Sequence, residues 1–152
     1  MNSPSCLSPV LAYPVLSLPN VRFGSQAVAT IFARWIFPDV YRQQDYSVSE
    51  AKKAISDYRK AVGRLEGMAE LTVFYCEEAF NLFDVYAVED EGYYTALVRM
   101  FEQAMKRVIA LPEHERTQFI ERLTQVRTAG QEIGWGVGYA FDALWKQANL
   151  SA

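Results

Sequence analysis

The chain has 152 residues, 51% of them hydrophobic and 22% charged, which suits one domain with its own core and is too apolar for a disordered chain. Fifteen Lys and Arg against eighteen Asp and Glu leave a formal charge of -3, so nucleic acid is disfavoured as a partner, because phosphate binding relies on clustered cations. No stretch approaches the roughly 18 uninterrupted apolar residues of a membrane span, and a soluble protein without a membrane partner is expected.

Residues 1–20 contain no Lys or Arg, and Pro4, Pro9, Pro14 and Pro19 interrupt every apolar run. That pattern lacks the charged and apolar regions of a secretory signal and cannot form a helix, since each ring removes a donor and restricts the residue before it. An extended Pro-rich N-terminal arm over 1–20 is expected, with Leu7, Val10, Leu11, Val15 and Leu16 lying against the domain or a second subunit. The remainder, 21–152, reads as one helical domain. Two cysteines, Cys6 and Cys76, permit neither a disulfide framework nor a Cys-based zinc site, and free thiols are expected.

Ser25 begins a short helix to about Phe37, with Val28, Ile31, Phe32 and Trp35 on one stripe. Ser47 and Glu50 form a capping-box pair for a helix running to about Leu65. Its apolar face is Ala51, Ile55, Tyr58, Val62 and Leu65, opposite Lys52, Lys53, Arg59, Lys60 and Arg64. Gly67 marks a break before Met68 to Tyr86, which is apolar around nearly its whole circumference and belongs at the centre of a bundle. Glu70, Glu77, Asn81 and Asp84 form one narrow polar stripe on it, with Glu78 apart. Asp90 or Glu91 starts the next helix, where Leu97, Met100, Phe101, Ala104, Val108 and Leu111 keep helical spacing to the Leu111-Pro112 break. A helix from Pro112 buries Phe119, Ile120, Leu123 and Val126. Gly130, Gly134, Gly136 and Gly138 then interrupt the pattern before a last helix through Leu144 and Trp145. One long helix grooved by Gly130, Gly134 and Gly138 is the competing reading. The fold class is all-α, a single-domain helical bundle of five or six helices.

Chemistry is sparse. His114 is the only histidine and lies in an acidic first turn, which excludes Ser-His-Asp, Cys-His and multi-histidine metal sites. The Glu-x-x-His pairs of a di-metal bundle are missing, and Glu89 to Gly92 lacks the spaced ligands of a calcium loop. Gly134-Trp135-Gly136-Val137-Gly138 follows no strand and precedes no Lys-Ser/Thr, so it is not a phosphate loop. No metal and no cofactor are expected.

The acids remain. Residues 65–95 hold eight of them and no Lys or Arg, whereas 1–64 carry eight bases and four acids. Glu77 and Asp84, seven apart, face one way and can serve as an acid-base pair, but the simpler reading has this acidic edge forming ion pairs with the basic face of the preceding helix. Trp135 can cover a close backbone passage or stack a ligand. The candidate ligand-binding set is Glu77, Glu78, Asp84, Tyr86, Asp90, Tyr94 and Trp135, around a pocket between helices.

Three segments, Ala51 to Lys60, Tyr86 to Met100 with its Asp90-Glu91 and Tyr94, and Ile133 to Gly136, together resemble an uncharacterised family of small bacterial helical proteins, a domain of unknown function. The resemblance covers roughly residues 30–145. It implies a helical fold and a bacterial cytoplasmic setting, and it implies no activity. Members carry an acid shortly after the Gly-Trp-Gly element, where this chain has Tyr139 and offers its next acid at Asp142. With no complete catalytic constellation, the leading expectation is a protein-protein interaction or scaffold module, with a protein partner or self-association. The alternative is a carboxylate-based enzyme or small-ligand binder, which keeps a small molecule as a partner.

Overall fold

The computed structural model describes residues 33–39 and 42–149. The Pro-rich arm and most of the helix read from Ser25 lie outside them. Five helices follow a helical turn at 33–36: α1 Val48–Ala61, α2 Leu65–Val85, α3 Glu91–Ile109, α4 Glu113–Gly130 and α5 Val137–Ala148. No strand occurs among the described residues. The fold is an all-α helical bundle.

The chain turns where its local chemistry dictates. The Ser47 hydroxyl accepts the Glu50 amide at 3.2 Å and starts α1. The Asp90 carboxylate accepts the Gly92 amide at 2.9 Å and starts α3. Connections at 62–64, 86–90, 110–112 and 131–136 are short, so successive helices are neighbours.

Within the bundle α2 packs on α3 and α4, α5 closes the ring against the same two, and α1 lies on α2. Leu71, Val73, Phe74, Tyr75, Cys76, Ala79 and Leu82 of α2 are all buried, which makes α2 the hub, as its apolar circumference requires. Phe101 of α3 and Phe141 of α5 stack with centroids 4.0 Å apart in the core beyond it. The turn at 33–36 is tied to α3 by the Tyr93 hydroxyl, which donates to the Ile36 carbonyl at 2.9 Å.

The first inter-helix break differs from the sequence expectation. Helix α1 ends at Ala61 rather than near Leu65, because the left-handed residue is Gly63, at φ 63°. Val62 and Leu65, read as core, are exposed. Gly67 is no break: it is buried inside α2 against the ring of Tyr58, and a Cβ there would overlap the Tyr58 hydroxyl. Both glycines matter, one for its backbone conformation and the other for its missing side chain. The glycine-rich stretch near the C-terminus does break the helix, over 131–136.

Candidate functional site: an aromatic cleft at the Gly-Trp-Gly turn

Between α4 and α5 three consecutive residues, Gly134, Trp135 and Gly136, take left-handed backbone angles, with φ of 78°, 56° and 74°. Glycine tolerates this, whereas for an L-residue with a bulky side chain it costs roughly 1–2 kcal/mol. The turn carries the Trp135 indole onto Tyr94 of α3, with ring centroids 4.8 Å apart and planes within 11°. The other face of Tyr94 stacks on Phe83 of α2 at 5.1 Å. Two helices and the turn thus meet in one ladder of rings. The Tyr94 hydroxyl donates to the Val88 carbonyl at 2.7 Å and pulls the 86–90 connection across the end of the bundle.

Beside this ladder opens a cleft of about 590 Å³, lined by Phe83, Tyr86, Val88, Glu89, Tyr94, Ile133 and Trp135 together with Ala87. Trp135 is 53% exposed and Tyr86 47%. Among the described residues Glu89 is the one charged group lining the cleft, and burial followed by the negative field of Glu89 raises the Tyr94 hydroxyl above its ordinary pKa. The indole also borders a smaller hollow of about 290 Å³, which Glu91 and Arg99 help to line.

Of the seven residues singled out from sequence, Tyr86, Tyr94 and Trp135 converge on this cleft. The four carboxylates lie elsewhere. Asp90 is occupied at the start of α3, where one oxygen holds the Gly92 amide and the other accepts the Tyr46 hydroxyl at 3.0 Å. Burial and then Asp90 push the Tyr46 hydroxyl up to about 12. Asp84 is exposed near the end of α2.

Glu77 belongs to a charged clasp, and here the expected pairing is corrected. The acidic edge of α2 meets α4 instead of the basic face of α1. Arg122 grips Glu77 in a fork, Nε to Oε2 at 2.9 Å and Nη2 to Oε1 at 2.7 Å, and also donates from Nη1 to Glu70 Oε1 at 2.9 Å. Glu70 is buried, and its second oxygen lies 2.6 Å from Arg122 Nη2. Burial opposes the charge of Arg122, but its bonds to Glu77 and Glu70 hold it more firmly protonated than usual. Burial raises the Glu70 carboxyl, and Arg122 restrains that rise. Removing one partner of such a forked, desolvated contact is far costlier than breaking a surface pair, because it leaves the other charge buried and unpaired.

Glu78, read as set apart from the polar stripe, is wholly buried. One oxygen accepts from the Asn81 amide at 2.7 Å, and the other has no hydrogen-bond partner among the described residues. Burial pushes its carboxyl up to about 7, so Glu78 is neutral over much of the acidic range. The carboxylates therefore sit at four separate stations. Among the described residues no group of three or more His, Cys, Asp or Glu side chains is placed to hold a metal ion.

Sequence reasoning passed over Arg122 and the lining residues Phe83, Val88 and Ile133. The signal for Arg122 was indirect: Glu70 and Glu77 share a face in a segment with no Lys or Arg, so any buried partner had to come from another helix. No helix among the described residues is long and apolar enough to cross a membrane. Comparison with known proteins finds no matching family model, no matching curated protein and no matching solved structure.

Proposed function

We propose that this chain is a protein-protein interaction module whose recognition surface is the cleft between Tyr86, Tyr94 and Trp135. The observation that carries the reading is the state of Trp135. This bulky residue, stacked on Tyr94 by its ring, is held more than half exposed in a left-handed conformation. Folding gains little from such an arrangement, and backbone strain that the core does not require is characteristic of sites kept for contact with something else. Half-exposed Tyr and Trp around an apolar floor are the residue types that anchor protein interfaces.

A catalytic role draws no support from the carboxylates: Glu77 is engaged by Arg122, Glu78 is enclosed, and Asp90 caps a helix. A small planar ligand is the second reading, favoured by the cleft volume of about 590 Å³, which lies in the ordinary range of small-molecule sites. The cytoplasmic setting and the kinship with an uncharacterised bacterial family belong to the same proposal. The first is supported by the free, buried Cys76 and the second by the three segments that carry the resemblance.

The test is a selection of displayed random peptides on the immobilised protein, with counter-selection on Trp135→Ala. Enrichment of sequences that bind the native protein and lose at least about tenfold on the variant is the expected outcome, since an anchoring Trp contributes more than 1 kcal/mol. Binders indifferent to Trp135, or no binders at all, would overturn the reading.

A further inference from the structure

Resting on the reading of the cleft as a protein-recognition surface, the geometry points to the chemistry of the partner: we infer that the cleft receives an arginine side chain from an otherwise apolar segment of a partner protein. The molecule's own tryptophans supply the first ground. The Arg34 guanidinium lies over the Trp35 ring at 4.2 Å, and that of Arg127 lies over the Trp145 ring at 5.0 Å. Trp135 is the described tryptophan with no cation of a described residue over its ring, and it is the one in the cleft. A guanidinium is planar and weakly hydrated, and it stacks on aromatic faces more readily than an ammonium does.

Charge supplies the second ground. Among the described residues Glu89 lines the cleft and no Lys or Arg does. Its neighbours Asp90 and Glu91 are also acidic, and the chain carries no Lys or Arg from Leu65 to Val98. In the smaller hollow that Trp135 also borders, Arg99 accompanies Glu91, so of the two spaces the Glu89 cleft is the one whose acid has no described cation beside it. Glu89 forms no hydrogen bond or ion pair with a described residue, unlike Glu70, Glu77 and Asp90, so its carboxylate is available to a partner. Phe83, Val88 and Ile133 form an apolar floor suited to the arginine methylenes and to flanking aliphatic residues. Opposite charge at the rim also favours encounter with a basic segment over an acidic one.

The test uses the full chain, labelled with nitrogen-15, and follows the Trp135 indole N–H by NMR. The probes are a capped apolar peptide with one central arginine, the same peptide with neutral citrulline in its place, and the peptides enriched by display. The arginine peptide is expected to shift the Trp135 signal saturably, the citrulline peptide to bind about fivefold or more weakly, and Glu89→Gln to weaken the arginine peptide by a similar factor. Asp84→Asn, an exposed change outside the cleft, should leave affinity within about twofold, which separates contact with Glu89 from the general field of the acidic end. Equal binding of arginine and citrulline peptides, or indifference to Glu89→Gln, would overturn the inference while leaving the cleft a recognition site. If neither the designed nor the display-enriched peptides move Trp135, the recognition site falls as well.

Discussion

Of the stacked rings that link α3 to the C-terminal part of the chain, the two closest pairs differ in nearly everything except the contact itself. Phe101 and Phe141 lie 4.0 Å apart with both side chains fully buried. Tyr94 and Trp135 lie 4.8 Å apart, flatter against one another, yet Trp135 as a residue is more than half exposed and stands on a strained turn. Removal of apolar surface from water accounts for the first pair completely. The second gives up much of that gain and adds backbone strain. Ring stacking in this molecule therefore has two uses, holding helices together at one level and displaying a surface at another.

Substitutions can break this contrast, and the largest effect belongs to the buried pair. Phe141→Ala should cost about 3–5 kcal/mol in urea unfolding, because it removes the transfer energy of the ring and leaves a cavity that its packed neighbours cannot fill. Arg122→Ala should cost about 3 kcal/mol, since it strands Glu70 in the interior without its cation. That loss should shrink in the double variant Arg122→Ala/Glu70→Gln, a coupling that a double-mutant cycle measures.

Glu78 sharpens the contrast through pH. The native state keeps its proton up to about 7, whereas the unfolded chain releases it near the ordinary value of 4.5. The folded form thus binds more protons in that interval, and stability must fall as pH rises from about 4.5 to about 7, then level off. The full drop is on the order of 3 kcal/mol. Glu78→Gln should flatten this part of the pH profile and leave the smaller share that comes from Glu70, whose carboxyl is displaced in the same direction. An unchanged slope in the Gln variant would contradict the burial account of Glu78. Tyr58→Phe should change stability by less than about 1 kcal/mol, because the buried hydroxyl it removes makes no hydrogen bond among the described residues.

The architecture was legible wherever periodicity and caps agreed. The nearly all-apolar circumference of α2 announced a hub, Asp90 or Glu91 announced the start of α3, and the glycines after α4 favoured a turn over one long helix. The α1 boundary was misplaced because Gly63 and Gly67 look alike in sequence, and only packing distinguishes a residue needing a left-handed angle from one needing room for Tyr58. The cleft was half legible. Tyr86, Tyr94 and Trp135 stood out as aromatics near turns, but the floor of Phe83, Val88 and Ile133 comes from three elements whose meeting leaves no local pattern. The same holds for Arg122, whose partners Glu70 and Glu77 lie a whole helix earlier in the chain.

The smallest stability effect is also the most telling. Trp135→Gly removes the exposed ring and at the same time relieves the left-handed strain. If the ring is kept for contact with a partner, the urea midpoint of Trp135→Gly should correspond to a change within about 1 kcal/mol of the native protein. A loss as large as that of Phe141→Ala would show instead that the indole is a packing element, and the cleft would lose its claim to be a recognition surface.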